Sequence, residues 1–192
     1  MRKAIIAGML ISFGCIVNLR VGGVAGALLF SLGLITILIF GFNLFTGKAG
    51  LLPTKEIGIL ELLMIWLGNF IGCLLVSILI DFTPLRESIV ESAANIVLTR
   101  HLNGPIVNII YGFCCGLLMY IAVTLFKKEH NPLYAIMPVA VFILSGYNHC
   151  IADMFYISVA NNSLLGWLTL IPTTIGNIVG CCFIPIFNKE RR

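Results

Sequence analysis

The sequence predicts an all-α integral membrane protein. Six transmembrane helices form two inverted three-helix repeats, with helices two and five broken at the midplane. Three observations carry this. Hydrophobic residues make up 59% of the 192 and charged residues only 10%, against about 25% charged in soluble domains. Six apolar stretches can be read, at 4–19, 24–46, 57–80, 104–126, 133–160 and 164–187. Two of them carry interruptions that echo each other 105 residues apart, Gly41-Phe42-Asn43 and Gly146-Tyr147-Asn148.

The first stretch has only 16 residues, where a span needs roughly 20. It reads as a first transmembrane helix and not a signal peptide, because no small-residue cleavage site precedes a soluble domain and more spans follow. A tight loop, Arg20 to Gly23, leads to the second stretch, which Gly22, Gly23 and Gly26 open. The third contains Gly68-Asn69-Phe70-Ile71-Gly72-Cys73. The longest polar connection, 81–103, follows. There Thr83 reads as an N-cap with Pro84 at the first helical position. Residues 84–99 alternate apolar and polar faces, which predicts a short helix lying on the outer surface, with Arg100, His101 and Asn103 after it. The fourth stretch carries the pair Gly112 and Gly116. The fifth is long enough to contain a break, with His149 directly after Asn148. An uncharged loop, Asn161 to Ser163, leads to the sixth, which contains Gly176-Asn177-Ile178-Val179-Gly180-Cys181. Strands are excluded because the apolar runs are continuous and do not alternate.

The last motif repeats the one at 68–73 with an offset of 108. A single channel-like domain, 1–192, therefore divides into repeat one (about 1–82), an outer connecting helix (about 84–99) and repeat two (about 101–188). Lys and Arg set the orientation. One side receives Arg2, Lys3, Lys48, Lys55, Lys127, Lys128, Lys189, Arg191 and Arg192; the other receives Arg20, Arg86 and Arg100. Nine against three places both termini in the cytoplasm of a multi-pass cell-membrane protein. An odd number of spans per half inverts the second half relative to the first. Paired interruptions in two such halves point to a transport pathway at the repeat interface.

The net charge of +4 follows from this bias and needs no nucleic acid to explain it. Cys15, Cys73, Cys114, Cys115, Cys150, Cys181 and Cys182 all fall in apolar segments without C-x-x-C spacing, so they read as packing residues, with Cys150 set beside a break. No metal site or cofactor is expected. The repeated glycines read as small residues that let helices approach closely. Asn69 and Asn177 need partners, since an unsatisfied amide in hydrocarbon costs several kcal/mol, and backbone exposed at the two breaks could supply them. His149 and Asp153 are the ionisable groups deep in the fifth segment, and such groups usually mark pathways. His149 is read either as a pathway residue or as a neutral packing strut. Asp153 is read either as part of the pathway or as a cap of the half-helix that starts near Cys150. Half-helix N-termini favour an anion without net protein charge. A His beside them can give a hydrogen bond or proton to a weak-acid anion, whose neutral acid crosses an apolar constriction far more cheaply.

Three motifs in order carry a resemblance. They are Leu44-Phe45-Thr46-Gly47 with Leu51-Leu52-Pro53; Pro138-Val139-Ala140 with Phe142, Ser145-Gly146-Tyr147-Asn148-His149 and Ala152, Met154, Phe155; and Ile171-Pro172-Thr173-Thr174-Ile175-Gly176-Asn177-Ile178-Val179-Gly180. They resemble the formate/nitrite transporter family over nearly the whole chain. The resemblance implies an aquaporin-like protomer with its own pore, assembled as a homopentamer. It also implies conduction of small monovalent anions or their acids: formate, nitrite, hydrosulfide, acetate or lactate. Position by position it implies His149 as the central pore histidine, Thr46 as its hydroxyl partner and Asn177 as a pore-facing amide. Phe30, Leu34 and Phe142 would build the outer constriction, and Leu44 and Phe45 the inner one. Arg100 stands where the family keeps a vestibule Lys.

The chain departs from the family at Asn148, where many members have Glu, and at Asp153, where many have Asn. It also departs at Gly116 and Lys48, where the family has Asn. No N-terminal cytoplasmic helix of the kind linked to gating precedes the first span, so a simpler, ungated protomer is expected. Two other classes stay open. One is a neutral-solute channel (water, glycerol, urea or ammonia), although Asn-Pro-Ala boxes are absent. The other is a membrane substrate-binding subunit of a vitamin importer, which has no need of two matched breaks. An enzyme is not expected, since no nucleophile–base pair is present.

Overall fold

The computed structural model describes residues 1–160 and 164–188. The loop read at Asn161–Ser163 and the charges of Lys189, Arg191 and Arg192 lie outside the described residues. Among the described residues the chain is helical: α1 (Arg2–Val21), α2 (Gly23–Phe40), α3 (Phe45–Ala49), α4 (Ile59–Ile80), α5 (Arg86–Glu129), α6 (Leu133–Leu144), α7 (Cys150–Val159) and α8 (Leu164–Phe187). Five of these are long and apolar enough to cross a membrane, and α6 and α7 are shorter apolar helices. The chain is a multi-pass helical membrane protein. The first helix is longer than the apolar run alone implies, because Arg2, Lys3, Arg20 and Val21 extend it to 20 residues.

The second apolar stretch holds two helices, and so does the fifth. Helix α2 ends where Gly41 adopts φ 64° and ψ 38°, and α6 ends at Gly146 with φ 70°. The closing bonds are the same in both: Phe42 N–H to the Ile37 carbonyl and Tyr147 N–H to the Phe142 carbonyl, each 2.9 Å. This is the glycine-terminated helix end, in which a left-handed residue lets late amides return to orphan carbonyls. The chain then runs extended for a few residues. Leu44 (φ −96°, ψ 132°) and His149 (φ −107°, ψ 111°) stand at matching N-cap positions of α3 and α7.

Long helices pack in two pairs, α1 on α4 and α5 on α8. Gly72 lies against the Ile5 carbonyl, and Gly180 against the Phe113 carbonyl, so closely that a Cβ at either would overlap backbone. These contacts are related by the same offset of 108 as the motifs. With little hydrophobic drive between helices in lipid, such backbone proximity is what dispersion requires.

The connection 81–103 differs from the sequence reading. Thr83 does not cap a helix beginning at Pro84. Its hydroxyl donates to the Ile80 carbonyl and accepts from Leu85 N–H, closing a turn, and α5 starts at Arg86. A helical limb of its own fills the connection, but it is longer than 84–99. It runs from Arg86 through Arg100, His101 and Asn103 and ends at Gly104, where φ 72° and ψ 174° redirect the chain into the fourth span within one residue. Only glycine adopts that conformation readily. Pro105 then starts the second limb, where its missing N–H costs nothing. Asn108 Nδ2 donates to the Arg100 carbonyl at 2.8 Å, satisfying a carbonyl left open at the end of the first limb. Ile89, Ala93 and Val97 bury one face of that limb.

Candidate functional site

The two amides of the repeated motif hold the two interruptions in the same way. Asn69 on α4 donates from Nδ2 to the carbonyls of Ala4 (2.7 Å) and Asn43 (2.9 Å), and its Oδ1 accepts from Phe45 N–H (2.9 Å). Asn177 on α8 donates to the carbonyls of Gly112 and Asn148 and accepts from Cys150 N–H, all at 2.8 Å. Each amide thus bridges a long helix to the extended residues before a short one. With both hydrogens and the oxygen engaged by backbone, Asn177 has no amide hydrogen left for a solute. The geometry makes it a brace, where the resemblance had implied a pore-facing amide.

One helical turn beyond each amide, the cysteines cross over. The single S–H of Cys73 lies within reach of the carbonyls of Gly8 (3.6 Å) and Ile151 (3.4 Å). That of Cys181 lies within reach of those of Gly116 and Thr46, both at 3.2 Å. Each amide therefore serves the break of its own half, and each thiol holds the short helix of the other half.

Between the short helices lies the polar centre. His149 is buried and its Nδ1 accepts from Ala152 N–H at 3.2 Å, capping α7. An acceptor Nδ1 leaves the proton of a neutral ring on Nε2. Nε2 lies 2.9 Å from Thr46 Oγ1 on α3, so the ring donates and the hydroxyl accepts. The Thr46 hydroxyl hydrogen then remains to be offered to a third group. The imidazole face stacks on Phe142 (5.7 Å, 24°), and Phe142 meets Phe30 edge to face (5.9 Å, 89°).

A cavity of about 360 Å³ opens on one side of this aromatic pair, reached by His149, Arg100, Asn103, Tyr111 and Tyr147 among others. A second, of about 110 Å³, lies on the other side, lined by Leu34, Leu44, Gly47, Lys48 and Lys127 among others. Leu34 does not join Phe30 and Phe142. It lies one turn deeper on the same face of α2, about 6 Å along the axis, and faces Leu44. Leu44 and Phe45 also part company. Phe45 is the first residue of α3 and turns into an apolar slot of about 200 Å³ between α4 and α8, beside Leu62, Trp66 and Ile178.

Asp153 does not cap α7, because His149 holds that position. Its Oδ1 accepts from Arg100 Nε at 3.2 Å, and Arg100 also donates from its terminal guanidinium to the Gly146 carbonyl at 3.1 Å. The Arg100 side chain is only 12% exposed. It is thus a paired cation that fixes the second break as well as facing the larger cavity. Asn148 does not reach that cavity. It donates to Asn108 Oδ1 (2.9 Å) and Thr173 Oγ1 (3.4 Å). Asn108 was missed in the sequence. The resemblance set Gly116 against a helix-four amide, but Gly116 abuts the Asn177 backbone, and the amide that α5 contributes is Asn108, two turns earlier. A lone amide inside an apolar run was the available signal. Among the described residues no group of His, Cys, Asp or Glu is arranged to hold a metal ion.

Fold and site together define a multi-pass helical membrane protein with two half-length helices meeting at one buried His–Thr pair. The chain matches the family model described as formate/nitrite transporter over residues 1–188, and it belongs to that family. The formate channel FocA of Haemophilus influenzae is 27% identical over 81% of this chain and 69% of its own length. FocA of Escherichia coli K12 is 25% identical over 81% and 68%. Among solved structures, a pentameric formate channel with formate bound superposes with a TM-score of 0.78 at 24% identity, covering 98% of this chain and 94% of that one. A formate/nitrite-type ion channel reaches 0.85 at 22% identity, covering 98% and 89%.

Proposed function

We propose that the chain is a channel for small monovalent anions or their conjugate weak acids, in the formate, nitrite and hydrosulfide class. In this reading six spans form two inverted repeats, about 1–82 and 101–188, joined by the outer limb. The short helices α3 and α7 complete spans two and five. Five copies assemble, each with its own pore, and both termini face the cytoplasm. The Lys and Arg asymmetry supports the orientation, and the pentameric formate channel that shares this fold supports the assembly.

The observation that carries the reading is the His149 Nε2–Thr46 Oγ1 bond at 2.9 Å, set between two cavities and under an aromatic lid. A solute passing Phe30 and Phe142 meets one hydroxyl hydrogen, polarised by the imidazole behind it. That donor stabilises an anion or a nascent one, while the apolar flanks favour the neutral acid. A proton can pass through the ring only if Nδ1 releases the Ala152 amide. Arg100, Asn108, Asn148, Asp153 and Asn177 act through backbone and pairing to hold His149 in place.

The test is flux into proteoliposomes with formate, nitrite and hydrosulfide across pH. Rates above protein-free vesicles, rising with the protonated fraction of the acid, are expected. No flux of any of the three anions would overturn the reading.

A further inference from the structure

Among the described cations of their end of the molecule, Lys48 and Lys127 stand apart. Both line the 110 Å³ cavity beneath Leu34 and Leu44. Lys127 also lines the adjoining chamber of about 790 Å³, with Glu56, Thr54, Tyr120 and Thr124. Its neighbour Lys128 turns away and pairs with Glu129 at 3.6 Å. Among the described residues neither Lys48 nor Lys127 has a carboxylate within ion-pair distance. Each ends a helix, α3 and α5 respectively, and offsetting a helix dipole accounts for one cation at each terminus. It does not account for both facing one small cavity. Two like charges lining one cavity repel each other, and an anion placed between them relieves that repulsion.

We propose that Lys48 and Lys127 form a binding site for one small monovalent anion at the inner mouth of the pore, immediately below the Leu34–Leu44 constriction. The cavity suits an anion of three or four heavy atoms and is too small for a phosphorylated metabolite. The site rests on the channel reading and adds a station to it. It sets the concentration at which flux from that side saturates. A passive pore must have equal permeability in both directions at low solute, so loss of the site shows in saturation.

The experiment uses the full chain with formate as probe. Efflux from preloaded cells and uptake into empty ones are each measured against formate concentration. In Lys48→Gln and Lys127→Gln the half-saturating concentration for efflux should rise, by about fourfold for each charge about 5 Å from the anion in water. The uptake value should stay within the error of the unmodified protein. Lys48→Arg should retain the efflux value, which separates lost charge from lost fold. Equal shifts on both sides, or no shift in either Gln variant with formate conducted normally, would overturn the site. If the unmodified chain conducts no formate, nitrite or hydrosulfide, it is the channel reading that fails.

Discussion

The two breaks share a backbone and differ in chemistry. Gly41 and Gly146, Asn43 and Asn148, Leu44 and His149, Phe45 and Cys150 correspond one to one, and the bonds of Asn69 and Asn177 to them match within about a tenth of an ångström. At the N-cap of α3, however, stands Leu44, without a side-chain cap. At that of α7 stands His149, which caps its own helix. Among the described residues only the second break is braced by an ion pair and a second tier of amides, Asn108 and Asn148. The same backbone solution for ending a helix inside a membrane protein appears twice. The buried His–Thr pair takes one N-cap residue from the second break and, through Thr46, one residue of the helix that follows the first.

The sharpest way to break this comparison is to exchange its unequal members. His149→Phe should lower formate or nitrite flux by about a hundredfold, the scale of losing a donor to developing charge, with assembly unchanged by size exclusion. Leu44→Ile, at the matching place, should keep flux within about threefold, on the small scale of a volume-conserving apolar swap. Flux in the Phe variant equal to the parent would remove His149 from the mechanism.

The equal members should behave alike. Asn69→Ala and Asn177→Ala each leave one N–H and two carbonyls without their amide partner. Each should lose about 3 kcal/mol, on a scale of one or more per stranded buried group, read as a fall in the thermal midpoint in mild detergent. A large loss in one and none in the other would show that the repeat is symmetric in form only.

Arg100 tests the asymmetric brace. Arg100→Ala strands the Asp153 carboxylate and should cost about 3 kcal/mol, whereas Arg100→Ala combined with Asp153→Asn should recover most of it. Whatever part of the flux loss comes from attraction of anions should be greatest at low ionic strength. A salt-independent loss that the double variant restores would make Arg100 purely a brace.

The smallest effects belong to the thiols. Cys181→Ala and Cys73→Ala should each cost about 0.5–1 kcal/mol, as weak hydrogen bonds do, with Ser at either site closer to the parent. Equal stability of Ala and Ser variants would show that packing alone is used there.

The breaks and their amides were legible in the sequence, because a glycine followed by an asparagine in an apolar run has few other uses and here recurs at a fixed offset. His149 stood out as an ionisable group where burial is costly. The Arg100–Asp153 pair was not legible. It joins residues 53 apart, and Arg100 reads from the sequence as a vestibule cation with nothing to name Asp153 as its partner. Thr83 and Pro84 misled for a local reason: a threonine before a proline closes a turn as readily as it opens a helix. The thiols were read as packing residues, since nothing in the spacing of a lone cysteine reveals which carbonyl lies above it.

The crossover of those thiols bears on the order of synthesis. Helix α3 leaves the ribosome early, yet the residue that grips its Thr46 carbonyl is Cys181, on the last helix to emerge. Until then the backbone of α3 is held by a side chain of α4 alone, where Asn69 accepts from Phe45 N–H. Helix α7 finds Cys73 already in place when Ile151 is made, but its amide brace, Asn177, also lies on α8. Each short helix therefore gains one of its two side-chain holds early and the other only when α8 is finished. Arrested chains ending before α8 should be cut at both short helices by added protease and released chains should not; equal protection in both would refute this order.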